Sequence, residues 1–309
     1  MAARFAWVLN LDADVELAAI ASGATRYAPK RSVLDAMRTF VPKLAASLLD
    51  PADDVLVAED SPPLVARGLV GRAFCPTPRA LQILRRAGAE PEAHPACEVL
   101  LRVNSRAFAS SLGTTLPGAV FVADEGEARA VLGTSPPREL AEAWRVKRSF
   151  GMAGRGQRIV TPSRVTEQDL AFVRAGLSEG GVQIEPDVTI VTEYAVHGLL
   201  EPGGARTLGP VVKQRCDARG AWIASEPLAP GEAPASLVPE AEHVAAALTA
   251  AGYFGPFGVD AYTYRVRRGE GDGAVALQSR SEINARYTMG FAAPRSAGRS
   301  PVVAPTAVR

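Results

Sequence analysis

Cysteine and histidine are scarce in this sequence of 309 residues, which contains three of each. The cysteines are Cys75, Cys97 and Cys216, and the histidines are His94, His197 and His243. No two cysteines have the spacing of a zinc or redox motif, so we interpret them as small buried hydrophobic residues. No histidine has an identifiable partner for a catalytic triad, and we expect surface or structural roles for all three.

Long apolar runs and an excess of charge of one sign are also missing. No apolar run reaches the ~18 residues that a membrane-spanning helix requires, and Asp12 comes too early for the core of a signal peptide. The formal net charge of +1 gives no general attraction to nucleic acid or to an anionic membrane. We therefore expect a cytoplasmic protein that binds small polar molecules, and the sequence leaves open whether it forms a homodimer.

The first 140 residues alternate between short apolar runs and helical patterns. Runs such as FAWVLNLD, DDVLVAED and GAVFVAD predict buried strands. TPRALQILRRAG predicts a helix with Thr77 as N-cap, Pro78 at its first position and Gly88 after its end. This alternation is typical of an α/β fold.

Beyond residue 140, the predicted strands come in adjacent pairs. WRVKRS and QRIVT flank a glycine-rich loop, and LGPVVKQRCD and AWIAS form a predicted hairpin through residues 218–220. The pattern predicts an α+β region with mostly antiparallel sheets. Residues 291–309 are rich in proline, alanine and arginine without periodicity, and we expect a flexible tail there.

The glycine-rich loop lies within WRVKRSFGMAGRGQRIV, residues 144–160. It contains Gly151, Gly154 and Gly156, and Lys147 precedes it on the incoming strand. A dinucleotide-binding loop would lead into a helix, and a P-loop would end in Gly-Lys-Ser/Thr, but this stretch does neither. It is therefore a hairpin tip, which either closes over phosphates with its backbone N–H groups or is an ordinary glycine turn with solvated cations.

Two acids near the end of the folded region are predicted to face each other across a hairpin. Asp260 and Glu282 lie eleven residues before and after Gly271, the centre of the turn GEGDG. In a regular hairpin they are directly opposed, and alternation places Arg280 and Asn284 on the face of Glu282. Because opposed like charges destabilise a hairpin, the acids either hold a hard cation such as Mg²⁺ or are exposed and neutralised by arginine.

A third signal is VQIEPDVTIVTEY, in which Glu185 and Glu193 end or interrupt apolar runs. Pro186 lacks an N–H and breaks a strand ladder, which would leave backbone groups free for the edge of an adenine ring. The alternative is a plain strand–turn–strand with exposed acids.

In this order, the three signals resemble the motifs of the ATP-grasp superfamily over residues 140–290. The matching motifs are VKRSFGMAGRG for the lysine and loop, IEPDV for the adenine hinge, and GVDAY with SEINARYTMG for the metal ligands. The resemblance implies an α/β N-terminal domain followed by an α+β ATP-grasp module with two lobes, mostly antiparallel sheets, and the nucleotide between them. The implied ranges are 1–115 for the first domain, 116–290 for the ATP-grasp domain with a lid subdomain at 140–187, and 291–309 for the tail.

The resemblance also assigns ligands to residues. The lysine and the loop would contact phosphates, the hinge would contact adenine, the acid after the hinge would bind ribose, and the last acids would bind Mg²⁺, or Mn²⁺ in its place. The implied ATP-binding residues are Lys147, Gly151, Gly154, Gly156, Glu185, Asp187, Val188 and Glu193, and the implied metal ligands are Asp260, Glu282 and Asn284. The family has a further phosphate-binding lysine upstream, but no lysine lies between Lys43 and Lys147. Arg138 or Arg145 would have to replace it.

The implied activity is that of a ligase, which activates a small-molecule carboxylate with ATP as an acyl phosphate and joins it to an amine. Catalysis would consist of positioning and electrostatic stabilisation. Arg280 could stabilise the transferring phosphoryl group or orient the carboxylate, and Arg286 could bind the carboxylate in bidentate fashion. Two alternatives stay open: a kinase that phosphorylates a hydroxyl, and a nucleotide-binding module without catalysis.

Overall fold

A computed structural model describes residues 4–152, 154–217, 222–229, 231–267 and 273–291. The predicted turns at 218–220 and around Gly271, and the predicted tail apart from Phe291, lie outside these ranges. Within these ranges the chain forms three sheets, one of them parallel and two antiparallel. Within the described ranges, no helix has both the length and the apolar character needed to cross a membrane.

The N-terminal sheet is parallel and has the strand order β2-β1-β3-β4. Gly88 follows the helix that was predicted after Thr77, with a φ of +82° that favours glycine. Thr77 takes the N-cap position, but its hydroxyl donates to Glu16, and Glu16 accepts the N–H of Arg79 in its place. The elements are β1 (Phe5–Val8), α1 (Ala13–Ala21), α2 (Arg31–Met37), α3 (Val41–Leu48), β2 (Val55–Leu56), β3 (Val70–Ala73), α4 (Pro78–Arg86) and β4 (Glu90–Pro91).

The second sheet is antiparallel, has the order β5-β8-β6-β7 and carries the glycine-rich loop. Its core packs Val146 and Ile184 of the sheet against Val173 of the covering helix, which begins with a capping box at Thr166. The elements from here are α5 (Cys97–Val103), α6 (Arg106–Ser111), β5 (Val120–Val122), α7 (Glu125–Leu132), β6 (Trp144–Met152), β7 (Arg155–Val160), α8 (Glu167–Leu177) and β8 (Val182–Pro186). This sheet includes β5 and so begins before the predicted lid range of 140–187.

The third sheet has the order β11-β10-β9-β12-β13 and is antiparallel throughout. Its apolar face packs against a long helix through Val244, Leu248 and Phe257. The mostly antiparallel second half of the chain is therefore confirmed. The elements are β9 (Ile190–Leu200), β10 (Arg206–Cys216), β11 (Trp222–Pro227), α9 (Leu237–Ala250), β12 (Gly255–Arg265) and β13 (Val275–Asn284).

The cysteines differ in their environment. Cys75 is buried, as predicted, whereas Cys97 and Cys216 are half-buried. His197 is buried and its Nδ1 is 2.9 Å from the hydroxyl of Thr288, which agrees with a structural role.

Candidate functional site

Asp260 and Glu282 are directly opposed across β12 and β13, as predicted, and a register shift separates this pair from the Tyr262–Gln278 pair nearer the turn. Asn284 pairs with Gly258 two residues further along and shares their face, because alternate residues of a strand point to the same side. The Asn284 side-chain amide donates to Asp260 Oδ2 at 2.8 Å, and the Gln214 amide on β10 donates to Asp260 Oδ1 at 3.2 Å. Three strands thus converge on one carboxylate.

The electrostatics of this pair favour a cation. Burial, followed by the negative charge of Glu282, raises the pKa of the Asp260 carboxyl to about 7. Within the described ranges there is no group of three or more His, Cys, Asp or Glu side chains that could hold a metal. Two carboxylates and an amide oxygen nevertheless fit a hard divalent cation that keeps water and phosphate among its ligands. A bound cation would also stabilise the ionised form of Asp260.

Arg280 was expected on the same face, and the structure directs it elsewhere. The next pair toward the turn is Tyr262 with Gln278, so two residues of β12 face four residues of β13 between these pairs. This irregularity interrupts the regular alternation of side chains that the prediction assumed. The guanidinium of Arg280 is paired with the Glu240 carboxylate of α9 and bonded to the Gly113 carbonyl. Its side chain is 3% exposed, so both contacts are buried.

Lys147 lies on β6, buried, before the glycine-rich loop. Its Nζ is 2.5 Å from Glu185 Oε1, and the Gln183 amide donates to Glu185 Oε2 at 2.8 Å. Burial lowers the pKa of Lys147, while the charge of Glu185 acts in the opposite direction. The acid that was predicted at the adenine hinge is therefore the counter-ion of the predicted phosphate lysine.

The glycine-rich loop depends on glycine at two positions. Gly154 and Gly156 have φ angles of +74° and +81°, which residues other than glycine rarely adopt. A Cβ on Gly151 would lie 3.0 Å from the carbonyl oxygen of Arg155 on the returning strand. The tip of this hairpin is thus a tight backbone turn, which suits close approach of a ligand to the backbone.

The hinge segment differs from the prediction in its backbone. Backbone groups of this segment were expected to be free, but the N–H groups of Asp187 and Val188 donate to the carbonyl oxygens of Ala143 and Pro186, each at 2.9 Å. The short turn after β8 folds back on itself and on the preceding loop, which satisfies these donors locally. A nucleotide base would have to use other groups of this segment or replace these bonds.

Glu193 lies on β9, opposite Gln214 of β10 and Tyr262 of β12. Two residues further along β9, Ala195 pairs with Asp260, so Glu193 and Asp260 share a face of the third sheet. The sheet therefore brings the predicted ribose acid and the predicted metal acids to the same side.

Arg106, at the start of α6, is a cation that the sequence pattern did not identify. Its Nη2 is 3.3 Å from Glu282 Oε2, and its side chain is 5% exposed. Its Nε donates to the Arg148 carbonyl of β6 at 3.1 Å, and its Nη1 donates to the Ser281 carbonyl of β13 at 3.2 Å. A Cβ on Gly151 would be 3.9 Å from Arg106 Nη2, so this guanidinium lies between the glycine-rich loop and the acids.

The two arginines that the sequence suggested in place of the missing lysine differ in position, and Arg145 lies on β6 two residues before Lys147. Arg145 pairs with Asp187 and bonds to Gln157, while Arg138 is exposed. The available signal for Arg106 was the N-cap residue Ser105, whose hydroxyl accepts the N–H of Phe108 and fixes the start of α6.

Arg286 follows β13 and connects the acids to the N-terminal part of the chain. It donates through Nη2 to Asp14 Oδ2 at 2.6 Å, and through Nη1 to the Asn284 side-chain oxygen. Burial raises the pKa of Asp14 to about 6, against the lowering effect of Arg286. We call the following side chains the charged junction: Asp14, Arg106, Lys147, Asp260, Glu282, Asn284 and Arg286.

Solved structures with this fold include a D-alanyl-alanine synthetase A from Vibrio cholerae O1 biovar eltor, with 11% identity and a TM-score of 0.53 over 96% of this chain and 94% of that one. A biotin carboxylase from Campylobacter jejuni has 13% identity and a TM-score of 0.54, covering 94% and 67%. An N5-carboxyaminoimidazole synthetase from Staphylococcus aureus has 13% identity and a TM-score of 0.49, covering 93% and 71%. No protein-family profile and no curated protein sequence matches the chain. The solved neighbours are ATP-grasp proteins, so the predicted fold is confirmed.

Proposed function

We propose that this chain, which has the ATP-grasp fold, is an ATP- and Mg²⁺-dependent ligase that activates a small-molecule carboxylate and joins it to an amine. The observation that carries the proposal is the charged junction, where the half-buried acids Asp260 and Glu282 of one sheet lie beside the buried side chains of Lys147 and Arg106. Such a set of opposite charges is suited to a nucleotide–metal complex, because the cations can pair with its phosphates and the acids with its metal ion.

Lys147 and the glycine-rich loop would hold the phosphates of ATP. The ammonium of Lys147 is desolvated, so a phosphate oxygen that approaches it gains more than it would in water. Glu185 keeps this ammonium in place at 2.5 Å before the nucleotide binds. The backbone N–H groups around Gly154 and Gly156 would contribute further donors as the loop closes.

Asp260, Glu282 and Asn284 would hold the metal ion. When bound, Mg²⁺ would neutralise phosphate charge and fix the orientation of the phosphoryl group. The Asn284 side chain would have to turn its oxygen toward the ion, and Gln214 would keep Asp260 oriented through its 3.2 Å hydrogen bond. Mn²⁺ has the same ligand preference and is an expected substitute.

Arg106 and Arg286 would act on the two reacting groups. Arg106 reaches Glu282 and two backbone carbonyls with a rigid fork, so its remaining donors are pre-positioned for an oxygen of the transferring phosphoryl group. Arg286 would bind the substrate carboxylate with its remaining N–H groups. The carboxylate oxygen would take the γ-phosphoryl group as ADP leaves; the amine would then attack the acyl carbon, lose a proton and release phosphate.

The names of the structural neighbours support this proposal, because they describe a synthetase and an enzyme solved with a bound nucleotide. One is named a D-alanyl-alanine synthetase, and another was solved as a biotin carboxylase–β,γ-ATP complex. We further propose the domain boundaries 1–115 and 116–290, supported by the change from the parallel sheet, which ends with β4, to the antiparallel sheet that begins with β5.

The test is to incubate the protein with ATP, Mg²⁺, pools of carboxylic acids and hydroxylamine, and to measure nucleotide products and hydroxamates. We expect ADP and one class of hydroxamate, formed by attack of hydroxylamine on the acyl phosphate. A stable phosphorylated product without hydroxamate would identify a kinase instead. AMP and pyrophosphate would contradict an acyl-phosphate mechanism, and failure to form any product would contradict catalysis.

A further inference from the structure

Asp14 brings the N-terminal part of the chain into the charged junction. It lies in the first turn of α1, directly after β1, and its side chain is 7% exposed. Besides Arg286, the charges that act on it are those of Glu282 and Arg106. Asp14 therefore lies beside the residues proposed for phosphoryl transfer, although it belongs to helix α1 of the N-terminal part.

One oxygen of Asp14 remains available. Oδ2 accepts the 2.6 Å hydrogen bond from Arg286. Oδ1 has no hydrogen-bond partner among the described residues, yet it does not belong to the polar atoms that are sealed from solvent without a partner. A ligand in the junction can therefore donate to this oxygen.

The charge balance determines which ligand fits. Arg286 has one positive charge, and it is already paired with Asp14. Arg106, the other cation that acts on Asp14, is paired with Glu282. If Arg286 also binds a substrate carboxylate, its guanidinium faces two carboxylates in a largely buried environment, which is unfavourable unless a further cation is present. A cationic group on the substrate, bonded to Oδ1 of Asp14, restores the balance.

The distance limits where that cation lies on the ligand. Because Asp14 and Arg286 are in direct contact, the carboxylate and the cationic group of the ligand must be neighbours. An α-amino acid has its ammonium and its carboxylate on the same carbon atom. Its ammonium would donate to Asp14 while its carboxylate pairs with Arg286.

We propose that the activated substrate is a free α-amino acid, recognised by Asp14 through its ammonium and by Arg286 through its carboxylate. Activation of the carboxylate rests on the proposed ligase function, whereas binding of the amino acid can be measured without catalysis. The ammonium of the bound amino acid stays protonated and hydrogen-bonded to Asp14, so it is not the amine that attacks. The amine that attacks the acyl phosphate comes from a second molecule.

The test compares matched pairs of acids that differ in the amino group, such as alanine with propionate and glutamate with glutarate, across the common amino acids. Binding to the full chain in the presence of ADP and Mg²⁺ is measured by calorimetry for the wild type, Asp14→Asn and Asp60→Asn. Asp60 is an exposed acid of the same part of the chain and serves as the control. We expect one amino acid to bind at least ~10-fold more tightly than its des-amino partner, and Asp14→Asn to remove roughly 30-fold of its affinity.

The readout is the ratio of the two affinities, which a merely structural Asp14 would not change. Equal binding of an amino acid and its des-amino partner, an unchanged ratio in a folded Asp14→Asn protein, or no binding by any pair would overturn the proposal. Amino-acid binding without ADP formation would overturn the ligase function and leave this recognition intact. ADP formation with equal kcat/KM for both members of each pair would overturn the amino-acid recognition and leave the ligase function intact.

Discussion

The β6–β7 hairpin and the β12–β13 hairpin bring charges of opposite sign to the charged junction. Burial lowers the pKa of Lys147 on the first hairpin and raises that of Asp260 on the second to about 7. In both cases the ionised form is disfavoured by the protein alone. Under the proposed function, an anion bound to the first hairpin and a cation bound to the second would stabilise the ionised forms of these two side chains.

The two hairpins differ in how much compensation the chain itself provides. Lys147 has a carboxylate partner, Glu185, at 2.5 Å. Asp260 has two neutral amides as hydrogen-bond donors, and the acid opposite it adds like charge. Function should therefore depend more strongly on the acidic hairpin than on the basic one, and the following predictions test this order.

Glu282→Gln should have the largest effect. Loss of a charged metal ligand is expected to lower kcat/KM for ATP-dependent ADP release by roughly 10²–10³-fold, because the cation no longer neutralises the phosphates. Steady-state kinetics at several Mg²⁺ concentrations measure it. Glu226→Gln, at an exposed position of β11 in the same sheet, is the control. Unaltered kinetics in Glu282→Gln would remove both the metal assignment and the contrast between the hairpins.

Lys147→Ala should raise the KM for ATP and lower kcat, with a combined loss of roughly 10–100-fold, because one phosphate contact is lost while the metal remains. Lys213→Ala, an exposed lysine of β10, controls for a general change of charge. The free energy of unfolding should fall as well, since Glu185 is left buried without its partner. Adding Glu185→Gln should restore stability and leave KM high. Kinetics equal to wild type would make the loop an ordinary hairpin.

Arg106→Lys should lower kcat/KM about 10-fold, because a point charge cannot keep the fork between Glu282 and two carbonyls. Arg138→Lys, at the exposed position that the sequence suggested, should leave the kinetics unchanged. Parallel kinetic measurements on these two variants and on Arg145→Lys compare the three arginines as replacements for the missing lysine. An effect in Arg138→Lys alone would support the choice made from sequence.

His197 provides a buried ionisable group of the third sheet for which no ligand is proposed. Burial lowers its pKa to about 4, so protons bind more readily to the unfolded chain, and stability is lost as the pH falls from about 6.5 toward 4. Between pH 7 and pH 5 the wild type should lose about 2 kcal/mol more of its free energy of unfolding than His197→Asn, as measured with urea. His243→Asn, at a position with 53% side-chain exposure, should behave like the wild type. A change in the KM for ATP in His197→Asn would contradict a purely structural shift.

The sequence predicted those parts of the site whose geometry is local or symmetric. The pairing of Asp260 with Glu282 was predicted correctly, but not only because a hairpin relates positions equally spaced about its turn. The pairs nearer the turn, such as Tyr262 with Gln278, are centred on position 270, and an irregularity between them and Asp260 shifts the register to the predicted pairing. Arg280 could not be placed in the same way, since the irregular ladder at that point of β13 breaks the alternation on which the prediction depended. The helix after Thr77 and the strands beside the glycine-rich loop were predictable from local signals, because capping residues and periodicity are local, whereas the sequence analysis did not predict helices such as α2 and α6.

The contacts that the sequence did not predict join distant positions. Arg106 meets its carbonyl partners 42 and 175 residues away, and Arg286 meets Asp14 across 272 residues. These pairings result from the packing of α1 and α6 against sheets formed later in the chain. No local pattern records such packing, and an arginine that will be buried looks the same in sequence as one that will be solvated.

The contacts of Arg106 have a consequence for how this protein can diverge. Both of its strand contacts are to main-chain oxygens, at Arg148 and Ser281, and every amino acid supplies such an oxygen. Positions 148 and 281 can therefore exchange their side chains without removing the connection between the two sheets. Position 106 has no such freedom, because no other side chain offers three donors in one plane. Among related chains, we therefore expect arginine to be conserved at position 106, while the side chains at positions 148 and 281 vary.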